Sequence, residues 1–307
     1  MFTKFAFLAA STAGLMLCQE QLASLKGHSK DINVVACSPI APMFVSGGGD
    51  EKTVLWDVAT KQQIGEAPAG GSVMSLAVSP NGARIAAGEN YHKIKLLDAT
   101  GKEIKTLEGH EASVIAVGFT PASDRLISFS SDGAMRFWDA NTGAAQGESA
   151  TARDAYWAGA FSRDGRWFAS GTQGGTIYVF NLTTKKMGIK ITAGPAVKAL
   201  AFSPDGKMIA AALNDSTVRL FSAADGKLVY SLPQVDGNAI AYSPDGTRIA
   251  VAGHDNEVKL IDASSLQLIA SLKGHERTVR SVCFLSDGNA LVSGSFDMTV
   301  RIWPVQY

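Results

Sequence analysis

From Leu25 onward, short runs of alternating apolar and polar residues follow one another with tight turns between them. No stretch after residue 20 has a helical period. The runs VVACS, SLAVS, AVGFT, AGAFS, ALAFS, AIAYS and SVCFL head seven units, approximately 25–64, 67–104, 107–146, 148–187, 191–229, 232–269 and 272–307. In each unit a first strand leads through a turn such as SPNG, SRDG or SPDG to a second, then through an Asp-containing turn to a third. Pro80, Pro204 and Pro244 preset φ in these turns, and Gly82, Gly206 and Gly246 supply left-handed positions. The third strands VLWD, IKLLD, MRFWD, IYVFN, VRLFS, VKLID and VRIWP are rich in β-branched and aromatic residues, as suits sheets packed on both faces.

Three units also share four polar residues at gaps of 18, 4 and 6. The first places His28, Ser46, Asp50 and Trp56; the third His110, Ser128, Asp132 and Trp138; the last His275, Ser293, Asp297 and Trp303. A repeat of about 40 residues that opens on G-H and closes on W-D resembles the WD-repeat β-propeller family. The likeness covers nearly all of the chain after its first twenty residues. It implies an all-β, seven-bladed propeller of four-stranded antiparallel sheets, with each quartet a buried chain of hydrogen bonds from Asp to His to Ser to the Trp indole. A Ser-His-Asp triad is the catalytic alternative. Three copies that each include Trp suit a brace, whereas an enzyme needs a single copy open to substrate.

The other units depart from the pattern. The second has Ala87, Tyr91 and Leu97 at the Ser, Asp and Trp positions; the fourth keeps Ser170 beside Gly174 and Phe180. The fifth keeps Asp215 with Ala211 and Phe221, and the sixth Asp255 with Val251 and Ile261. Apolar packing is expected to replace the brace there, leaving those blades less rigid. The last unit stops at VRIWP with no fourth strand, and 20–26 (EQLASLK) matches the outer strands ending at Leu107 and Leu272. In the family such a segment completes the last blade and removes two open sheet edges.

Composition narrows the function. The 28 basic and 28 acidic residues balance, so no global field favours nucleic acid or an anionic membrane. Basic and aromatic residues do not interleave, and the glycines fall in hairpin turns rather than a phosphate cradle. No metal-ligand spacing is present, and no metal or cofactor is expected. Cys37 and Cys283 are expected as buried free thiols, with a disulfide open only if neighbouring strands bring them together. Residues 1–18 run apolar from Phe5 to Cys18 after one Lys, too short to span a bilayer and similar to a secretory signal. That points to a secreted or periplasmic protein; the alternatives are an uncleaved apolar segment and a cytoplasmic location. Leu17 is bulky for the residue before a lipidated Cys18.

In the family the narrower top rim most often takes peptides, through residues flanking the start of each inner strand and the residue before the turn Asp. Those positions here are Asp31/Asn33, Ser72/Met74, Ser113/Ile115, Ala155/Trp157, Ala196/Lys198, Asp236/Asn238 and Thr278/Arg280, with Gly49, Asn90, Ser131, Gln173, Asn214, His254 and Phe296. Met74, Ile115 and Trp157 place apolar bulk on blades two to four. Lys198, Asn214, Asp236, Asn238 and His254 form a polar arc on blades five and six, and Arg280 and Phe296 stand on blade seven. Exposed aromatics and Arg are enriched in binding hot spots. The plainer alternative has Trp157 and Met74 filling core and His254 an ordinary loop residue. The function expected is a non-enzymatic scaffold, a monomeric propeller acting within a complex, that binds a protein or peptide partner. An envelope-assembly protein and a propeller-type hydrolase are the alternatives. The hydrolase needs inward carboxylates or imidazoles, and the inner strands are apolar or small.

Overall fold

The computed structural model describes residues 21–150 and 154–305. The apolar start, Cys18 and Glu20 lie outside the described residues. Among those described, 28 strands form seven four-stranded antiparallel sheets, arranged as the blades of a seven-bladed propeller. Six blades use consecutive strands and span 32–68, 73–107, 114–150, 156–192, 197–232 and 239–273. The seventh joins Val279–Phe284, Ala290–Ser295 and Thr299–Pro304 to Ala23–Lys26 from the other end of the chain. Each blade starts later than its sequence unit because the unit opens on the outer strand of the preceding blade. Leu107, which opens the third unit, ends the second blade's outer strand Glu103–Leu107.

Burial follows position along each blade. Second strands lie between two neighbouring blades, so Ala290–Ser295 is buried at every residue. Outer strands face solvent, and Leu228–Leu232 is exposed at four of five residues. This explains why second strands (MFVSGG, RIAAGE, MIAAAL) mix apolar with very small residues. The small residues admit the next blade: a Cβ on Gly47 would sit 2.4 Å from Val73, and one on Gly294 2.7 Å from Ile32. After the third strand, Asp57 accepts hydrogen bonds from the Thr60 backbone N–H at 2.6 Å and hydroxyl at 2.8 Å, which fixes the turn into the outer strand. Asp98, Asp139 and Asp262 do the same with Thr100, Thr142 and Ser264.

The ring closes between its last and first blades. The N-terminal strand pairs Ala23 with Ile302, Ser24 with Arg301, Leu25 with Val300 and Lys26 with Thr299. Leu22 N–H donates to the Ile302 carbonyl at 2.7 Å, and Lys61 Nζ to the Leu22 carbonyl at 3.0 Å. Leu25, Val292, Val300 and Ile302 pack with Ile32, Val35, Phe44 and Trp56 in one core across the seam. The inner strands meet there too, the Val35 N–H donating to Ser281 Oγ at 3.0 Å.

Cys37 and Cys283, expected as free thiols, instead form a disulfide across this seam, with their Cα atoms 5.8 Å apart. The physical reason is the closure itself, which lays the last inner strand beside the first. Cys37 ends its inner strand where five other blades place Phe119, Phe161, Phe202, Tyr242 and Phe284. A thiol in place of a ring leaves room for the bridge. The bond links residues 246 apart in sequence and restricts the unfolded chain. Cys37→Ser/Cys283→Ser is therefore expected to unfold in urea with about 2–4 kcal/mol less stability than the oxidised protein, and reductant should bring the wild type to the same midpoint. Equal midpoints for the oxidised wild type and the variant would contradict this.

Candidate functional site

The three polar quartets are assembled and buried. Asp50 accepts from His28 Nδ1–H at 2.9 Å, Ser46 Oγ bonds His28 Nε2 at 2.8 Å, and Trp56 Nε1–H donates to Ser46 Oγ at 2.7 Å. The matching distances are 3.0, 2.8 and 2.9 Å for His110, Ser128, Asp132 and Trp138. They are 2.7, 2.7 and 2.8 Å for His275, Ser293, Asp297 and Trp303. In the first and last blades the partners fix the protonation pattern; in the third, the Arg136 guanidinium also lies 2.7 Å from His110 Nδ1. A carboxylate only accepts, so Nδ1–H donates to it; the indole only donates, so the Ser hydroxyl accepts from it and donates its own O–H to Nε2. Each Asp also accepts the backbone N–H of the residue after its His: Ser29 at 2.9 Å, Glu111 at 2.9 Å and Glu276 at 3.0 Å. Ser46, Ser128 and Ser293 are 0% exposed, so no substrate reaches a hydroxyl. These quartets tie each blade's entry loop to its second and third strands.

The expectation that apolar packing alone replaces the quartet in the other blades is corrected. In the second blade the Glu89 carboxylate is wholly buried and accepts the Gly70 N–H at 3.0 Å, the same loop amide that Asp50 holds through Ser29. The longer side chain does this from two positions earlier. In the fifth blade Arg219 pairs with Asp215 at 2.9 Å and donates to the Ala193 carbonyl. In the sixth, Lys259 pairs with Asp255, and Asp236 accepts the His254 N–H at 2.9 Å. The fourth blade keeps Ser170 but has Phe180 at the quartet's Trp position, and among the described residues the buried Ser170 hydroxyl has no hydrogen-bond partner.

The second feature is the top mouth of the central channel. In six of the seven blades the inner strand slips register against the second strand between its first and third residues. The residue skipped is Asn33, Met74, Ile115, Trp157, Lys198 or Arg280. A bulge of this kind leaves one residue out of the ladder and re-aims its side chain. In the sixth blade, whose inner strand Ala239–Tyr242 is shorter, Asn238 precedes it and donates its backbone N–H to the Ala252 carbonyl at 2.6 Å.

Met74, Ile115, Trp157, Lys198, Asn238, His254 and Arg280 line one cavity of about 470 Å³, with Ser113, Ser131 and Tyr156. Trp157 is 49% exposed, so it does not fill core. Of the apolar, polar-arc and blade-seven residues singled out above, Asn214, Asp236 and Phe296 lie outside this lining. Asn214 donates its N–H to the Ala196 carbonyl. Asp236 is held by Lys198 at 3.4 Å and by the His254 amide. Phe296 lies under the Arg277 and Arg280 guanidinium groups at 5.9 and 5.4 Å. Asn33 turns aside, its amide donating to Ser72 Oγ and to the Val73 carbonyl. Sequence reasoning missed Tyr156, which sits between the flanking positions at the start of its strand and lines the cavity while buried in the core.

Below the mouth the channel is lined by small and apolar residues, among them Val34, Leu76, Val117, Ala160, Leu200 and Ile240. Towards the other end stand Phe161, Phe202, Tyr242 and Phe284. Among the described residues no cluster of His, Cys, Asp or Glu could hold a metal ion. Among them no helix is long and apolar enough to cross a membrane.

With this geometry in place, the sequence comparisons fall into line. The profile of the WD domain, G-beta repeat, matches residues 19–57, 101–139, 153–181, 226–262 and 266–304. That of the anaphase-promoting complex subunit 4 WD40 domain matches 169–239. The chain belongs to the WD-repeat β-propeller family. Among its relatives, the ribosome biogenesis protein YTM1 of Phaeosphaeria nodorum is 33% identical over 38% of this chain and 26% of its own length. The nuclear distribution protein PAC1 of Arthroderma otae is 31% identical over 55% of this chain and 40% of its own. The transcription factor unc-37 of Caenorhabditis elegans is 28% identical over 40% and 20%. The chain thus spans well under half the length of these relatives.

The quartets make stability pH-dependent. Burial holds His110 and His275 below their ordinary 6.5, outweighing the pull of Asp132 and Asp297. Burial raises the Asp297 carboxyl, but hydrogen bonds from His275, Thr299 and the Glu276 amide more than offset it and keep it below 3.8. The unfolded chain therefore binds more protons than the folded one, and stability is lost as pH falls through 6.5 and again below 3.8. Glu89 acts oppositely: burial raises its carboxyl above 4.5, so its ionised form costs stability at neutral pH. In urea melts from pH 4 to 8, His275→Ala is expected to lose about 1–3 kcal/mol at pH 8 and to show a shallower acid slope than wild type. Glu89→Gln is expected to gain stability at pH 8, with the gain vanishing towards pH 4. A uniform offset of either variant at all pH values contradicts the assignment.

Proposed function

We propose that this propeller is a non-enzymatic scaffold whose top mouth holds a peptide or a loop of a partner protein. The observation that supports this is the bulge at the start of six inner strands. Five of those out-of-ladder residues, joined by Asn238, send different side chains into one cavity, apolar on one side and donor-rich on the other. A concave site with few convergent polar groups suits a short ligand. The apolar channel beneath offers no acid–base pair, which favours binding over hydrolysis. The relatives' names point to ribosome biogenesis, nuclear distribution and transcription. Shared family membership therefore supports a common platform rather than a common client.

The Cys37–Cys283 bridge favours an oxidising compartment, since such bonds persist in secreted and periplasmic proteins and are rare in the cytosol. Together with the apolar residues from Phe5 to Cys18, it supports export of the chain and an assembly role outside the cytoplasm.

Affinity capture compares the wild type with Trp157→Ala/Arg280→Ala. The double variant is expected to recover at least about tenfold less of the principal partner, as loss of two hot-spot side chains requires. Recovery of the same partners in the same amounts would place the interaction elsewhere on the ring.

A further inference from the structure

The two walls of the mouth differ in chemistry. Met74, Ile115 and Trp157, with Tyr156, line one side, and Lys198, Asn238 and Arg280 line the other. No carboxylate lines the cavity among the described residues. Arg280 is the informative member. It has no hydrogen bond or ion pair among the described residues, and its Nε is sealed from solvent without an acceptor. Its guanidinium lies over the Phe296 ring, at 5.4 Å. The Asn238 amide nitrogen is likewise buried without an acceptor. The other cations of this rim are committed: Lys198 to Asp236 at 3.4 Å, Arg277 to Asp31 at 3.3 Å and to the Phe296 carbonyl at 2.8 Å. Most of the mouth's unmet hydrogen-bonding capacity on this side is therefore donor capacity.

We propose that the mouth takes a short acidic segment of a partner protein, in which an Asp or Glu carboxylate pairs with Arg280 while a neighbouring aromatic or aliphatic side chain packs on Met74, Ile115 and Trp157. This rests on the reading of the mouth as the binding face, and adds the chemistry that selects the ligand. A carboxylate offers two acceptors in the plane of the guanidinium fork, and acceptors are what the buried Asn238 amide in the same cavity also needs. A basic segment meets an uncompensated guanidinium, and a neutral one leaves it unpaired. A single free guanidinium suits a monoanion better than a doubly charged phosphate, because Asp236 beside Lys198 already supplies one negative charge.

Random peptides displayed on phage are panned against the folded protein. The recovered sequences are then synthesised with each acid retained, replaced by its amide, or replaced by phosphoserine, and titrated by fluorescence anisotropy. The expected result is enrichment of Asp or Glu next to an aromatic or aliphatic residue. Amide replacement should weaken binding at least about tenfold, and Arg280→Gln should reduce that difference to about twofold or less. Arg280→Lys, which keeps the charge but loses the fork, should fall between and serves if Arg280→Gln does not fold. Peptides that need Trp157 but show no acid preference, or that bind only as phosphoserine forms, overturn this inference and leave the rim reading standing. Binders indifferent to Trp157→Ala and to Arg280→Gln, or no binders at all, overturn the rim reading itself.

Discussion

A ring of sheets stands or falls on its closure. Every blade has two apolar faces, and each face is covered only by the blade beside it. Were the last blade not to meet the first, the core shared by Leu25, Val292, Val300, Ile32 and Phe44 would open to water. The chain secures this joint in more than one way. A strand from its beginning completes its final sheet, inner strands meet through Ser281 and Val35, and a disulfide bonds the first inner strand to the last. The two blades that flank the joint both contain a complete polar quartet.

The distribution of polar ties around the ring follows from what each entry loop needs. The loop before an inner strand has backbone amides that the sheet does not satisfy, and a carboxylate placed near them is the recurring answer. Asp50, Asp132 and Asp297 provide it with help from His; Glu89 provides it alone, at the cost of burying its own charge. Arg219 inverts the chemistry by donating to the Ala193 carbonyl. Ser170 keeps the quartet's Ser position with no hydrogen-bond partner among the described residues. The loops fixed in this way sit at the rim, next to the bulged residues that form the mouth.

Much of this was legible in the chain. The turn residues and the quartets His28/Ser46/Asp50/Trp56, His110/Ser128/Asp132/Trp138 and His275/Ser293/Asp297/Trp303 are local patterns, and local patterns survive into structure. What was hidden depends on proximity or on register. The disulfide joins residues 246 apart and becomes visible only when the ring is closed. Glu89 escaped notice because it substitutes for Asp from a shifted position, so that Tyr91 in the Asp place read as a loss. The mouth residues were placed by position in the family, but the bulge that turns Trp157 and Arg280 out of the ladder has no sequence signal of its own. Arg280's want of a partner is a property of three-dimensional surroundings and could not be read from composition.

Closure of the ring depends most on the N-terminal strand acting as part of the final blade. Hydrogen exchange on a chain beginning at Gly27, compared with the full chain, tests this directly. The amides of Thr299–Ile302 that face the missing strand are expected to lose their protection, and the whole ring to unfold at lower denaturant. Protection and an unfolding midpoint equal to those of the full chain would contradict it.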